Sequence, residues 1–123
     1  MIALDSSVLI QFLRRDPAMR RFLKAQPLRV VSSLVAFELW KGAGTSAERH
    51  GVASLLSTCR IEPFTAALAE QAGLLHREMM EQGQRKSSFD LLIASQALQD
   101  NCPLATLDRD YDGIPGLKVV KVR

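Results

Sequence analysis

Four acidic residues in this 123-residue chain lie where a solvated surface does not explain them. Asp5 ends the apolar run Ile2-Ala3-Leu4. Glu38 shares a helical face with Leu34, Val35 and Gly42, and Asp90 shares one with Ile93, Ala94 and Ala97. Asp108 follows the stretch Leu104-Ala105-Thr106 by two residues. The other acids are easier to place: Asp16 precedes a proline as a helix cap, and Glu48, Glu70, Glu78, Glu81 and Asp100 fall on polar stretches of helix. Glu62 sits in a strand and pairs with none of the four. Carboxylates gathered in one cleft repel, so they must take up protons or bind cations. Oxygen donors without Cys or His select Mg2+ or Mn2+. An ion held that way keeps waters and is shared with substrate phosphates, which suits hydrolysis of a phosphodiester by a metal-activated water.

Each acid also has a plainer reading. Asp5 suits a helix cap. Glu38 suits a rim residue whose stem packs while its head stays in water. Ser87-x-x-Asp90 fits a capping box, and Asp108 or Asp110 suits a turn. All four depart from the solvated pattern together, and that favours a shared site.

The elements that would position them alternate in type. An N-terminal strand ends at Asp5, and Ser6 or Ser7 caps a helix reaching about Arg15. Asp16-Pro17 opens a second helix to about Ala25. A strand over Leu28 to Val31 follows, then a helix from Leu34 to Gly42 capped by Ser32 or Ser33, and another from about Ser46 to Ser57. Cys59 to Phe64 reads as a strand. Thr65 opens a long helix to near Gly83 in which Leu68, Ala72, Leu75 and Met79 form an apolar stripe. A helix over Phe89 to Asp100, a strand over Pro103 to Thr106 and a last edge strand over Leu117 to Val122 complete the chain. Strands alternating with helices predict an α/β fold, a parallel sheet covered on both faces. If the first and fourth strands run parallel, Asp5 and Asp108 emerge at the same edge.

Length predicts one domain over residues 1–123. A net charge of +3 permits an anionic partner without requiring one. Cys59 and Cys102 stand apart from each other and from both histidines, as reduced core or near-core residues of a cytoplasmic protein do. No apolar run is long enough to span a membrane, and the N-terminus lacks the pattern of a signal peptide. His50 and His76 are each alone on a helix and are given no catalytic role. Trp40 and Tyr111 are too few for a stacking platform, and Trp40 reads as core or partner interface.

With Asp5, Glu38, Asp90 and Asp108 assembled, the whole chain resembles the PIN-domain ribonucleases, most of all the VapC-like toxins of bacterial toxin–antitoxin pairs. The resemblance rests on Leu4-Asp5-Ser6-Ser7-Val8-Leu9-Ile10, on Ser33-Leu-Val-Ala-Phe-Glu38-Leu39-Trp-Lys-Gly42, on Phe89-Asp90-Leu-Leu-Ile93-Ala94-Ser-Gln-Ala97, and on Leu104-Ala-Thr106-Leu-Asp108-Arg-Asp110-Tyr111. It implies a three-layer α/β/α sandwich with a short parallel sheet, and Mg2+-dependent (or Mn2+-dependent) endoribonuclease activity. It further implies an RNA substrate, a cognate antitoxin and a homodimer. Asp5, Glu38, Asp90 and Asp108 carry over as catalytic metal ligands, with Ser7, Thr106 and Asp110 in support. Lys41, Arg85, Lys86 and Arg109 are the cations best placed by motif proximity to contact RNA phosphates. The main departure is Ser6-Ser7 where the family usually has Thr-Asn, because a serine lacks the amide's two donors and its carbonyl.

Two other classes compete with this one. One is a catalytically weak PIN-fold module that binds RNA or protein, although such domains usually lose an acid and here all four remain. The other is a phospho-aspartate module. A haloacid-dehalogenase-like phosphatase requires a second Asp where Ser7 stands, and a receiver requires a mid-chain aspartate that Ala43 to Phe64 does not contain.

Overall fold

The N-terminal strand β1 (Ile2–Leu4) is the middle of the sheet and is buried along its length. Three consecutive apolar residues suit such a strand, because in a parallel sheet both faces are covered. The computed structural model describes residues 1–122; Arg123, the last residue of the expected domain, lies outside the described residues. Helices α1 (Ser6–Leu13) and α2 (Pro17–Lys24) lead to β2 (Arg29–Ser32), and α3 (Ser33–Gly42) and α4 (Ser46–Leu56) lead to β3 (Arg60–Glu62). The long α5 (Ala66–Glu81) and α6 (Ser88–Gln99) then return the chain to β4 (Leu104–Thr106), and β5 (Val119–Lys121) forms the far edge.

The strand order is β3-β2-β1-β4-β5, with every pairing parallel. Right-handed crossovers place the helices. The path β1 to β2 to β3 moves one way across the sheet and lays α1 to α4 on one face. The return from β3 to β4 lays α5 and α6, which pack on each other, on the opposite face. This is the expected three-layer α/β/α sandwich. The direction of travel reverses between β1 and β4, and a crevice opens there beyond the strands' carboxyl ends. Open α/β sheets keep ligand sites at such a switch point.

Helix starts follow side-chain chemistry. Asp16 accepts from the backbone N–H groups of Ala18 and Met19 with Pro17 in the first turn, and Thr45 with Glu48 forms a reciprocal capping box. Leu68, Ala72, Leu75 and Met79 are all buried along α5, as their spacing predicts. Cys59 and Cys102 are free thiols.

Three expectations need correction. Ser6 and Ser7 do not cap α1, because both lie inside it, and Asp5 at the cap position makes no side-chain cap bond. Trp40 is 43% exposed and so is not a core residue. The two strands expected over Cys59 to Phe64 and Leu117 to Val122 shrink to three residues each. Both are edge strands with a single neighbour, and pairing ends where that neighbour's ladder ends. Among the described residues no helix is long and apolar enough to cross a membrane.

Leu9 on α1 has no exposed surface and belongs to the core under the crevice. Leu9→Ala is expected to cost about 2–5 kcal/mol, the range for a leucine truncated in a packed core. Urea denaturation, read as a lower midpoint at an unchanged slope, checks this.

Candidate functional site

Asp5 is 3% exposed, and its whole carboxylate is engaged. In the register of β1 with β4, Leu4 faces Ala105 and the Asp5 N–H donates to the Ala105 carbonyl at 3.0 Å. The next step along the ladder sets Asp5 beside Thr106. The Thr106 hydroxyl accordingly donates to Asp5 Oδ2 at 2.9 Å, and the Ser7 hydroxyl, in the first turn of α1, donates to the same oxygen at 2.9 Å. Tyr111 donates to Oδ1 at 3.0 Å. These bonds take up the oxygens that a capping aspartate would offer to its helix.

The two smaller hydroxyls also accept. The Leu107 N–H donates to Ser7 Oγ at 3.1 Å, and the Asp108 N–H donates to Thr106 Oγ1 at 3.0 Å. Each hydroxyl has one proton and gives it to Asp5. The 3.4 Å approach of Ser7 Oγ to Thr106 Oγ1 is therefore a contact of two occupied groups. The turn at Asp108 is thus made by the Thr106 hydroxyl, and the Asp108 carboxylate is left free of that duty.

The other three acids surround Asp5. Glu38 projects half-buried from the middle of α3 and accepts a hydrogen bond from Ser6. Burial raises its carboxyl pKa, the Ser6 bond opposes the rise, and the Asp5 charge adds to it. Asp90 sits in the first turn of α6, its N–H donating to the capping Ser87 hydroxyl at 3.0 Å, so half of the expected capping box is present. Burial raises its pKa, a hydrogen bond with Ser87 opposes this, and the charges of Asp110 and Asp5 raise it further. Asp108 is raised by burial, then by Asp5, Asp110 and Asp90. The acids thus lie within electrostatic range of one another. Among the described residues, however, no three acidic, histidine or cysteine side chains converge closely enough to form a ready-made ion cage.

The cations near these acids differ in their surroundings. Lys41, Arg85 and Arg109 are exposed. Lys41 lies over the Phe37 ring at 5.8 Å, and its charge acts on Glu38. Lys86 is committed to structure, donating to the Asp112 carbonyl at 2.8 Å. Lys121 donates to the Asp108 carbonyl at 2.9 Å and pairs with the Asp112 carboxylate at 3.2 Å. Among the described residues none of the ion pairs involves Asp5, Glu38, Asp90 or Asp108.

Sequence reasoning missed two residues here. Ser6 was read only as a cap and instead holds Glu38. Tyr111 was dismissed as a stacking residue and instead is 1% exposed against Asp5. A signal for Tyr111 was present, since a tyrosine beside the fourth acid, if buried, needs a partner for its hydroxyl. Asp110 is exposed and reaches the site through its charge on Asp90 and Asp108.

The PIN domain family profile matches residues 2–117. The chain belongs to the PIN-domain family. Ribonuclease VapC10 of Mycobacterium tuberculosis is 37% identical over 112 residues, covering 88% of this chain and 83% of the relative. Among solved structures, VapBC2 from Rickettsia felis bound to a promoter DNA fragment superposes with a TM-score of 0.85 at 23% identity over 98% of each chain. FitAcB from Neisseria gonorrhoeae gives 0.86 at 23% identity, over 99% of this chain and 98% of that one. At that identity the superpositions speak for the fold, and they place this PIN domain's sheet and helices in a shared architecture.

The raised pKa values fix the sign of a pH effect. Glu38, Asp90 and Asp108 bind protons more tightly when folded than at their ordinary 4.5, 3.8 and 3.8. Their contribution to stability is complete below those ordinary values and is lost as pH rises through the raised ones. In chelator, the melting temperature is expected to climb as pH falls from 7 toward the ordinary carboxylate range. The climb should flatten in the triple variant Glu38→Gln, Asp90→Asn, Asp108→Asn, as measured by scanning fluorimetry.

Proposed function

We propose that this PIN domain is the toxin of a toxin–antitoxin pair, an endoribonuclease that uses Mg2+ or Mn2+ to hydrolyse RNA phosphodiester bonds. The observation that carries this reading is the buried Asp5 at the switch point of the sheet, with the carboxyl pKa values of Glu38, Asp90 and Asp108 around it raised by burial and, beyond that, by the Asp5 charge. The identity to a ribonuclease supports the reaction class.

The donor set fits a hard cation. It is all oxygen, the chain's histidines and cysteines lie outside it, and no lysine or arginine neutralises the four acids by an ion pair among the described residues. Mg2+ usually keeps several waters and binds through one or two carboxylates plus substrate phosphate. Asp5 and Asp90 would be the principal ligands, with Glu38 and Asp108 completing the set directly or through water. When bound, such an ion supplies an activated water and neutralises charge at the scissile phosphate.

The protein's own part is positioning. Ser7 and Thr106 fix the Asp5 carboxylate, and Ser6 fixes Glu38. The exposed Lys41, Arg85 and Arg109 are proposed to meet the RNA backbone, with Lys86 holding the loop beside them. A groove of about 660 Å3 runs between α1, α3 and α4 and is lined by Ile10, Leu13, Leu39 and Val52, with Glu38 also on its wall. Arg14, Arg15 and Arg20 rim it, and the buried Nε of Arg20 makes no hydrogen bond. Beside it α3 exposes Phe37 at 58% and Trp40 at 43%. Apolar lining with a basic rim is the surface proposed to receive the antitoxin, and a homodimer is the proposed assembly.

Asp5→Asn and Asp90→Asn are each expected to reduce RNA cleavage by more than about 100-fold, beyond the 10- to 100-fold typical of an outer-shell partner. Circular dichroism should stay unchanged. Full activity in either variant would remove the assignment. Arg85→Ala and Arg109→Ala are expected to weaken RNA binding and lower the slope of log affinity against log salt by about one each, which fluorescence anisotropy across a salt series checks.

A further inference from the structure

Tyr111 is the chain's single tyrosine, and its ring is packed in the core at 1% exposure. A phenylalanine would fill the same space, so the hydroxyl is the part that packing does not require. That hydroxyl donates its one proton to Asp5 Oδ1 at 3.0 Å, and Asp90 lies near enough to act on it through its charge. One oxygen therefore lies under the influence of two carboxylates.

The lone pairs decide what this means. A carboxylate offers about four acceptor sites. Ser7 and Thr106 take both sites on Asp5 Oδ2, so only Oδ1 can turn toward a cation. An ion shared by Asp5 and Asp90 would need Asp5 Oδ1, and the phenol oxygen lies 3.0 Å from that atom. Metal–oxygen distances of about 2.0–2.1 Å put an ion on that atom inside the distance at which the hydroxyl now stands.

We propose that the Tyr111 hydroxyl is a built-in stand-in for the cation, giving its one proton to Asp5 on the side that faces Asp90 and withdrawing from Asp5 when the ion binds. Tyr111 then competes with the metal, lowering its affinity while keeping two facing carboxylates compatible with folding in its absence. The inference rests on the metal-dependent reading above, and it fixes a sign. A hydroxyl that merely helped to hold the ligands in place would strengthen metal binding; one that competes weakens it.

The test is isothermal titration of the full-length chain with Mg2+ and with Mn2+, comparing wild type with Tyr111→Phe. The variant is expected to bind about tenfold more tightly, the effect of one hydrogen bond to a charged acceptor. Its melting temperature in chelator should fall, and the rise on adding metal should exceed that of wild type. In wild type, the tyrosine absorption band should shift during the Mg2+ titration and saturate with it, a readout that does not depend on the variant folding. Equal or weaker binding by the variant, or a tyrosine band unmoved at saturating Mg2+, would overturn the competition and leave the metal site standing. No binding of either ion to either protein would overturn the metal-dependent reading and this inference with it.

Discussion

A carboxylate with almost no exposed surface has to be compensated from within the protein, and the crevice of this fold is built around meeting that demand for Asp5. Burying an uncompensated ion costs several kcal/mol even after relaxation. A hydrogen bond to a charged group returns about 1.5–3 kcal/mol, so one donor is too little and three are of the right size. The three come from different elements: Ser7 from α1, Thr106 from the end of β4, and Tyr111 from the segment that joins β4 to β5. Each bond therefore also joins a piece of chain to β1. The position of the acid, the start of α1 and the path after β4 are consequences of a single electrostatic requirement.

The segment after β4 shows how far that requirement extends. It carries Asp108, Asp110 and Tyr111, and it has no regular structure to hold it. Its backbone groups are gathered by side chains instead. Thr106 takes the Asp108 N–H, Ser7 takes the Leu107 N–H, Lys121 takes the Asp108 carbonyl, and Lys86 takes the Asp112 carbonyl. Two lysines that by charge alone read as surface or phosphate contacts thus act as straps. Lys121 can do so because β5 is an edge strand whose side chains reach across to the loop on β4, its only neighbour. Positive charge near this crevice divides into groups that hold the loop and groups left free to meet an anion, and only the hydrogen-bond partners separate the two.

The fold was legible because its signals are local or additive. Short apolar runs gave the strands, and caps such as Asp16 and Thr65 gave helix starts to within a residue. Alternation gave the parallel sheet, and the right-handed crossover rule then placed the helices. The four acids were legible as departures from amphipathic pattern. What stayed hidden was non-local: Ser6 meets Glu38 across two helices, and Tyr111 meets Asp5 across 106 residues. Nothing in the composition of either stretch distinguishes a hydroxyl that caps a helix from one that satisfies a buried acid. The plainer reading of Asp5 as a cap has the same origin: Asp5 does hold the cap position, and only the direction of its oxygens, away from the helix, separates a cap from a ligand.

Ser7 was the residue that most tested the family resemblance, and its surroundings explain why the exchange is tolerable. An asparagine there would offer an amide N–H and a carbonyl oxygen. The site needs one donor, toward Asp5 Oδ2, and one acceptor, for the Leu107 N–H. A single hydroxyl supplies both, since it can donate once and accept at the same time. What the serine gives up is the amide's second N–H and its reach. Ser7 Oγ lies 2.9 Å from Asp5 and 3.1 Å from the Leu107 nitrogen, so the shorter side chain spans the gap without strain at either end. The Ser6-Ser7 pair therefore leaves the support of the buried acid intact, with Ser7 joining Asp5 to the segment after β4 through one hydroxyl.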